Sequence, residues 1–564
     1  MVGRRGRVAK ANHGQIPLSS SSKPICGIFG TIRLILGPYL VVITKKRKVG
    51  TINGQAVWQV TEAEIISYNR TILHLTEKQI VENRQYEAML NTMLNTPYMY
   101  FSYSYDLTHS LQRLHNTTPE FLQAFNWTIV SRRCCFRAGT RLFTRGVDTQ
   151  GNVANFVETE QIVEFSGDRS SFVQAFNWTI VSRRCCFRAG TRLFTRGVDT
   201  QGNVANFVET EQIVEFSGDR SSFVQTRGSI PLFWHQLPNL KYKPRPKLNP
   251  NENHYEAFSR HFDSQIINYG KQVLINLIDH RGAEDVLEKA YAEMVNRLGN
   301  SNIRYESFDF HHECRQMRWD RLSILIDRLA HEQDEFSMFL MTRDGTVVSQ
   351  QDGVFRTNCI DCLDRTNVVQ SMLARRSLNQ VLQKLSILRP GQNVENNFGF
   401  ESLFKSVWAD NADTVSVQYS GTGALKTDFT RTGKRTRWGL IRDGINSLTR
   451  YYKNNFADGF RQDSIDLFLG RYIVEEGEGV IKPCPLELEK GWKYITFPLV
   501  LIIAIAMFFA NVITPSEYTT ESLLYLLFWG AMVAVTFATI MIYGTEFVDY
   551  PKLCEIRKLS TAVE

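Results

Sequence analysis

Residues 353–385 read GVFRTNCIDCLDRTNVVQSMLARRSLNQVLQKL, and three kinds of local structure succeed one another in them. GVFRTN has the β-branched and aromatic composition of a strand. Beyond the loop, Val368, Val369, Met372, Leu373, Leu378, Val381, Leu382 and Leu385 fall near helical spacing, interrupted only by Arg375 and Arg376. Strand, loop, helix is the order that sets unpaired helix N–H groups behind a loop, where an anion is stabilised. Cleavage of a phosphate monoester by a thiolate needs that cradle, with a cysteine and an arginine converging on one phosphoryl group. Cys359 opens this loop and Arg365 closes it, so Cys359 is the candidate nucleophile and Arg365 the two-pronged phosphate ligand. Ile360, Cys362, Leu363, Asp364 and Thr366 complete the phosphate-binding loop, and Thr366 can donate a hydrogen bond to the sulfur. Two carboxylates in an anion site are unfavourable unless the helix end and basic neighbours offset them. Asp361 is therefore the candidate general acid for the leaving oxygen, the alternative being a structural carboxylate paired with arginine or amides. Asp364, beside the helix start, reads as structural.

Spacing alone does not decide this, because Cys-x5-Arg recurs at Cys135–Arg141 and Cys186–Arg192. Each of those arginines is followed by LFTRGVD, a strand and turn with no helix behind the loop. Cys359-x-x-Cys362 also invites a zinc or redox reading, but no second CxxC or histidine pair stands near and no thioredoxin-like pattern precedes it. No metal or cofactor is expected. A protective Cys359–Cys362 disulfide stays open as an alternative.

Upstream, AEDVLEKAYAEMVNRL and RWDRLSILIDRLAHEQDEFSMFL are amphipathic helical patterns, followed by the extended GTVVSQ and GVFRTN, an alternation that predicts an α/β catalytic core. A basic, Pro-bearing connector, LKYKPRPK, precedes them at residues 240–247. Farther upstream, residues 123–173 recur without one change at 174–224. Two perfect copies point to a recent exon duplication or a faulty gene model rather than a solenoid, whose surfaces drift while the apolar pattern is kept. Each copy reads as β structure: TRLFT, a turn through GVDTQGN, then VANFVETEQIVEF. Only one copy can occupy a given place in a sheet, and 174–224 is expected to hold it because it runs directly into residues 225–228. Residues 25–46 are apolar but broken by Gly27, Gly30 and Gly37-Pro38, which predicts two strands, and residues 1–24 read as a disordered basic tail.

The 564 residues, 43% hydrophobic and 22% charged, exclude disorder as the main state. The balance of 65 Lys and Arg against 57 Asp and Glu leaves +8, too little to announce a nucleic-acid binder. Ten cysteines in so long a chain are no disulfide framework and point to a reducing compartment. No apolar signal core precedes Pro17, so the sequons at Asn69, Asn116, Asn126 and Asn177 read as unglycosylated. Residues 494–513 and 523–543 are charge-free and of spanning length, predicting a transmembrane hairpin. Lys490, Lys493, Lys552, Arg557 and Lys558 flank it while the loop holds Glu517 and Glu521, which places both termini in the cytosol. Lys426, Arg431, Lys434 and Arg435, in GALKTDFTRTGKRTR, are candidates for binding anionic lipid headgroups. Asp309 and His311 in FDFHHEC are read first as core or supporting residues.

NCIDCLDRTN at residues 358–367, RGSIPLFW at 227–234, FDFHHEC at 308–314 and YSGTGALKTDFTRTGKRT at 419–436 together resemble the SAC (suppressor-of-actin) phosphoinositide phosphatases. With the C-terminal hairpin, the chain is most similar to the membrane-anchored branch of the endoplasmic reticulum and Golgi. The resemblance implies an α+β N-terminal SAC domain, an α/β cysteine-phosphatase domain, no metal requirement, and hydrolysis chiefly of phosphatidylinositol 4-phosphate. It matches Cys359 to the nucleophile, Arg365 to the phosphate-binding arginine and Asp361 to a loop aspartate proposed as an acid. The expected layout is a basic tail at 1–24, a shortened SAC N-terminal domain at 25–122, a surplus copy at 123–173 and a catalytic domain at 174–480. A linker at 481–493, the hairpin at 494–543 and a cytosolic tail at 544–564 follow. A catalytically silent lipid-binding scaffold is the rival reading. A protein-tyrosine phosphatase fits less well, since Asn358 replaces the histidine usual before that nucleophile and the chain has no Trp-Pro-Asp loop.

Overall fold

The glycine-broken apolar pieces near the N-terminus do form strands. The computed structural model describes residues 2–3, 7–8, 23–68, 75–117, 125–133, 157–165, 176–315, 318–433, 435–474, 484–487, 491–513 and 519–554. Most of the tail expected at 1–24 lies outside these, apart from Val2–Gly3 paired with Arg7–Val8 and from Lys23 and Pro24. The chain divides into one unit of residues 1–179 with 473–480 and another of 180–472 with 481–564.

In the first unit, β1 (Gly27–Leu34), β2 (Gly37–Ile52), β3 (Gln55–Ser67) and β4 (Tyr100–Phe101) form an antiparallel sheet. Gly37, at φ +115°, supplies the reversal between β1 and β2 that a side chain would resist. Helix α1 (Glu77–Leu94) starts at a reciprocal cap between Thr76 and Gln79. Its Tyr86, Met89 and Leu90 are buried, as are Leu40 and Val42 of β2.

The two identical copies adopt different pairings. In the first copy, β5 (Phe125–Arg133) and β6 (Val157–Phe165) form a two-stranded ribbon, and no other described strand joins it. In the second, β7 (Asn177–Arg184) and β8 (Val208–Phe216) close the edge of the large sheet of the other unit. One expectation is corrected here. TRLFT of the second copy is a turn, and the first strand is NWTIVSRR. Side chains outside any ladder hold that turn: Gln462 accepts from Thr191 N at 2.8 Å and from Thr195 Oγ1 at 3.1 Å. The β composition of TRLFT is thereby overridden by tertiary contacts.

We propose that the first copy is surplus, because a sheet edge offers one set of cross-strand partners and a lone ribbon is marginally stable. The copies are identical, so excising either leaves the same chain. Excision is expected to raise soluble yield, by removing an aggregation-prone edge, without lowering turnover. Loss of folding after excision would make the copy structural.

The second unit is mixed α/β. Besides β7 and β8 its sheet contains β9 (Asp219–Arg227), β10 (Lys271–Asn276), β11 (Ile303–Ser307), β12 (Phe339–Met341), β13 (Val347–Ser349) and β14 (Gly353–Asn358), in the order β11-β10-β14-β9-β8-β7, with β12 on β9 and β13 on β12. β14 runs parallel to both of its neighbours, β10 and β9. All six of its residues are buried, so the chain leaves the sheet at a central carboxyl end, the position where α/β sheets bind ligands. Helix α2 (Asp285–Leu298) makes the crossover from β10 to β11, and α3 (Asp364–Lys384) follows β14 with Val369, Leu373, Leu378 and Val381 in the core. Beyond α4 (Phe398–Ser420) and α5 (Arg437–Phe456), α6 (Lys493–Ile513) and α7 (Thr520–Ile542) form a hairpin. With mean hydropathy of 2.4 and 2.1, these two helices are long and apolar enough to cross a membrane. After α7 the chain folds back onto the unit: Phe547 and Val548 pack with Leu240 and Ile540, and Lys552 N and Leu553 N each donate to Asp463 at 2.9 Å.

Candidate active site

The end of β14 is fixed to β10 from both sides. Asn358 O accepts from Leu277 N at 2.9 Å, and Asn358 Nδ2 donates to Asn276 Oδ1 at 2.5 Å. Cys359 follows, 3% exposed, at the floor of the loop. Cys362 takes φ +53°, a left-handed conformation that costs a non-glycine residue roughly 1 kcal/mol and turns the chain back toward α3. Leu363 stands at the N-cap without a side-chain cap, so the first amides of α3 are left for a ligand. Thr366 is buried and its Oγ1 has no hydrogen-bond partner, a state worth about 1–3 kcal/mol of instability that a bound group would relieve.

Arg365 is anchored at its outer edge. Its guanidinium donates to Leu277 O at 2.9 Å, to Asp279 Oδ1 at 3.3 Å and to both oxygens of Glu284 at 3.1 and 3.2 Å. Burial opposes its charge, but Cys359, Glu284 and Asp279 outweigh burial and hold it above the ordinary arginine value. His311 Nδ1 lies 2.7 Å from Asp279 Oδ1, which gives FDFHHEC its place beside the site. Burial pushes the Asp279 carboxyl up, while the bond from His311 and the charge of Arg365 bring it below the usual carboxylate range.

Asp361 lies in a double guanidinium clamp, with Arg196 at 2.6 Å and Arg192 at 2.9 Å. Burial alone would raise its carboxyl; the two arginines prevail and hold it well below the carboxylate range. Arg196 also donates to Ile360 O at 2.8 Å and Asn206 Nδ2 to Asp361 O at 3.2 Å, so two loop carbonyls are held by the segment between β7 and β8. The two guanidinium groups that offset the Asp361 carboxylate thus come from the second copy. Asp364 is half-buried; the desolvation raises its carboxyl, and its Oδ1 accepts from Leu425 N at 3.0 Å, tying the start of α3 to the GALKTDF segment. Burial and the neighbouring Cys359 push the Cys362 thiol up to about 12, and its Sγ donates to Cys359 O at 3.3 Å. Cys359 and Cys362 are both free thiols. Arg227, in RGSIPLFW, is fully buried; burial pulls it down to about 10 against the pull of Cys362 and Cys359. Its NH2 donates to Asn367 Oδ1 at 3.3 Å, while Nε and NH1 have no hydrogen-bond partner.

Of the basic strip, Arg431 pairs with Asp410 at 2.7 Å, and Arg435 is shared between Asp428 and Asp443. Lys426 is exposed, its backbone N donating to Asp443 at 3.1 Å; Lys434 lies outside the described residues. Sequence reasoning missed Arg192, Arg196, Asn206, Arg227, Asp279 and Glu284. The motif RGSIPLFW pointed toward Arg227, and Arg192 stood in the Cys-x5-Arg pattern set aside at Cys186, but nothing local marked the others.

A family model described as the SacI homology domain matches residues 26–123, 115–175 and 168–315, with each copy of the repeat falling in its own matched stretch. Phosphatidylinositol-3-phosphatase SAC1-B of Danio rerio is 52% identical over 546 residues, 96% of this chain and 92% of the relative. Phosphatidylinositol-3-phosphatase SAC1 of Drosophila melanogaster is 53% identical over 567 residues, covering 98% and 93%. The protein of the same name from Saccharomyces cerevisiae is 37% identical over 568 residues, covering 96% and 87%.

Proposed function

The chain belongs to the SacI-homology family of phosphoinositide phosphatases, and we propose that it hydrolyses phosphatidylinositol 4-phosphate at the cytosolic face of its own membrane through a phosphocysteine intermediate. The observation that carries this reading is the loop from Cys359 to Arg365, set between a buried central strand and an uncapped helix start. In the first step the Cys359 thiolate attacks phosphorus, the P–O bond to inositol breaks, and the leaving oxygen takes up a proton from solvent water, which the water consumed in the second step returns. In the second, water attacks the phosphocysteine, inorganic phosphate leaves and the thiolate returns. Arg365, the first amides of α3 and the Thr366 hydroxyl hold the phosphoryl oxygens in both steps. These groups supply the stabilisation that a metal would otherwise provide, and no cofactor enters.

Asp361 is the acid that the resemblance implies. A carboxylate clamped by Arg192 and Arg196 has no proton to give at neutral pH, so we assign it to positioning: it locks the loop against the β7–β8 segment. Asp361→Asn is expected to reduce turnover of a phosphoinositide and of an activated aryl phosphate by the same factor, about tenfold to a hundredfold, as loss of one partner of a buried pair loosens the loop. A loss confined to the lipid, whose leaving group needs a proton, would restore the acid role.

The hairpin of α6 and α7 would anchor the enzyme in endoplasmic reticulum and Golgi membranes, with both termini cytosolic. The relatives are named for the 3-phosphate, so phosphatidylinositol 3-phosphate is the second substrate to test. Phosphate release by the full chain from a panel of phosphoinositides in vesicles should be greatest with the 4-phosphate. Release from none of them, or only from a phosphotyrosine peptide, would overturn the proposal.

A further inference from the structure

Helix α5 is built inside out. Its inner face is fixed by polar contacts: Arg450 donates to Thr422 Oγ1 and Gly423 O, each at 2.9 Å, and Thr436 caps the helix by accepting from Gly439 N at 2.9 Å. The opposite face carries Trp438, Ile441, Ile445, Leu448 and Tyr452, at offsets of three, seven, ten and fourteen from the first, one stripe of a helix. All five are between 52% and 80% exposed. Leaving so continuous an apolar strip in water marks a docking face.

The surroundings say what covers it. Asp549 N, just beyond the end of the apolar hairpin, donates to Asn455 O near the end of α5 at 2.7 Å. Tyr451 of α5 donates to Leu240 O at 2.8 Å, and Leu240 packs against Ile540 of α7 and Phe547. The C-terminal end of α5 is thus bound to the base of the hairpin. Arg437 and Arg442 are exposed beside the stripe, and Trp438 and Tyr452 stand at its two ends, the arrangement of cations and aromatic rings suited to an anionic headgroup layer.

We propose that α5 lies in the headgroup–acyl boundary of the bilayer that α6 and α7 cross, its Trp438-to-Tyr452 stripe seated in an anionic lipid surface. This rests on the reading of the hairpin as a membrane anchor. Seating α5 also seats the catalytic loop, because Lys426 N donates to Asp443 of α5 and the adjacent Leu425 N donates to Asp364 at the start of α3. The head would therefore work on lipids of the membrane that holds it.

The test uses the full chain reconstituted in phosphatidylcholine vesicles containing phosphatidylserine, against the double variant Ile445→Glu/Leu448→Glu. Turnover of a long-chain phosphoinositide in the same vesicles should fall about tenfold, while that of a soluble short-chain phosphoinositide stays within about twofold. Lipids brominated in the acyl chains should quench the fluorescence component that Trp438→Phe removes. Equal losses on both substrates, no loss on either, or an unquenched Trp438 component would overturn the proposal. So would a cross-linked dimer that the double variant abolishes, since a second copy would then cover the stripe. Alkaline extraction separates the two readings: protein released from the vesicles defeats the anchor and this proposal with it, whereas retained protein with unquenched Trp438 defeats this proposal alone.

Discussion

Cys359→Ser is expected to abolish phosphate release from phosphoinositides, by about a thousandfold or more, while vesicle binding is unchanged. A serine hydroxyl stays protonated where a thiol can ionise, and the nucleophile is then lost without a change of shape. The residue is buried at the end of a fully buried strand, so the swap removes one sulfur from a loop whose backbone is held elsewhere, through Asn276, Arg196 and Asn206. Cys186→Ser is the control: that cysteine is exposed and its Cys-x5-Arg pattern runs through a turn. Full activity is expected there. Equal losses in the two variants would show that the strand, loop and helix around Cys359 do not select the nucleophile.

Arg365→Lys should be nearly as damaging, costing about a hundredfold to a thousandfold in kcat/KM. The guanidinium is planar and already braced along one edge by Leu277 O, Asp279 and Glu284, which leaves its remaining N–H groups in a fixed direction. An ammonium on a flexible stem cannot satisfy that brace and present two parallel donors to a phosphate at once. Retention of activity within about tenfold would mean that charge alone suffices and that the braced geometry is incidental.

What could be read from the chain beforehand was what is local in it. The loop from Cys359 to Arg365 is contiguous with its strand and helix, all within residues 353–385, so composition and period suffice to set Cys359 and Arg365 between them. The apolar helices at the C-terminus were legible for the same reason, since length and absence of charge are properties of a run. The partners of Asp361 were not, because Arg196 stands 165 residues away and belongs to a segment whose composition suggests a strand. A turn held by Gln462 and by its own arginines has no signature in a single sequence. The basic strip shows the same dependence on distant partners: Arg431 and Arg435 are conspicuous in sequence, and in the fold they are paired with Asp410, Asp428 and Asp443. The neighbouring apolar stripe of α5 has ordinary helical spacing, and only the fold reveals that it faces outward.

The central claim is that Cys359 carries the phosphoryl group between lipid and water. Rapid acid quenching of the full chain with a phosphoinositide labelled in its phosphate, followed by peptide mapping, addresses it directly. The account predicts label on the peptide containing Cys359, absent from Cys359→Ser and not diminished in Cys186→Ser. Phosphate release at the full rate with no labelled cysteine, or label on a different peptide, would contradict it.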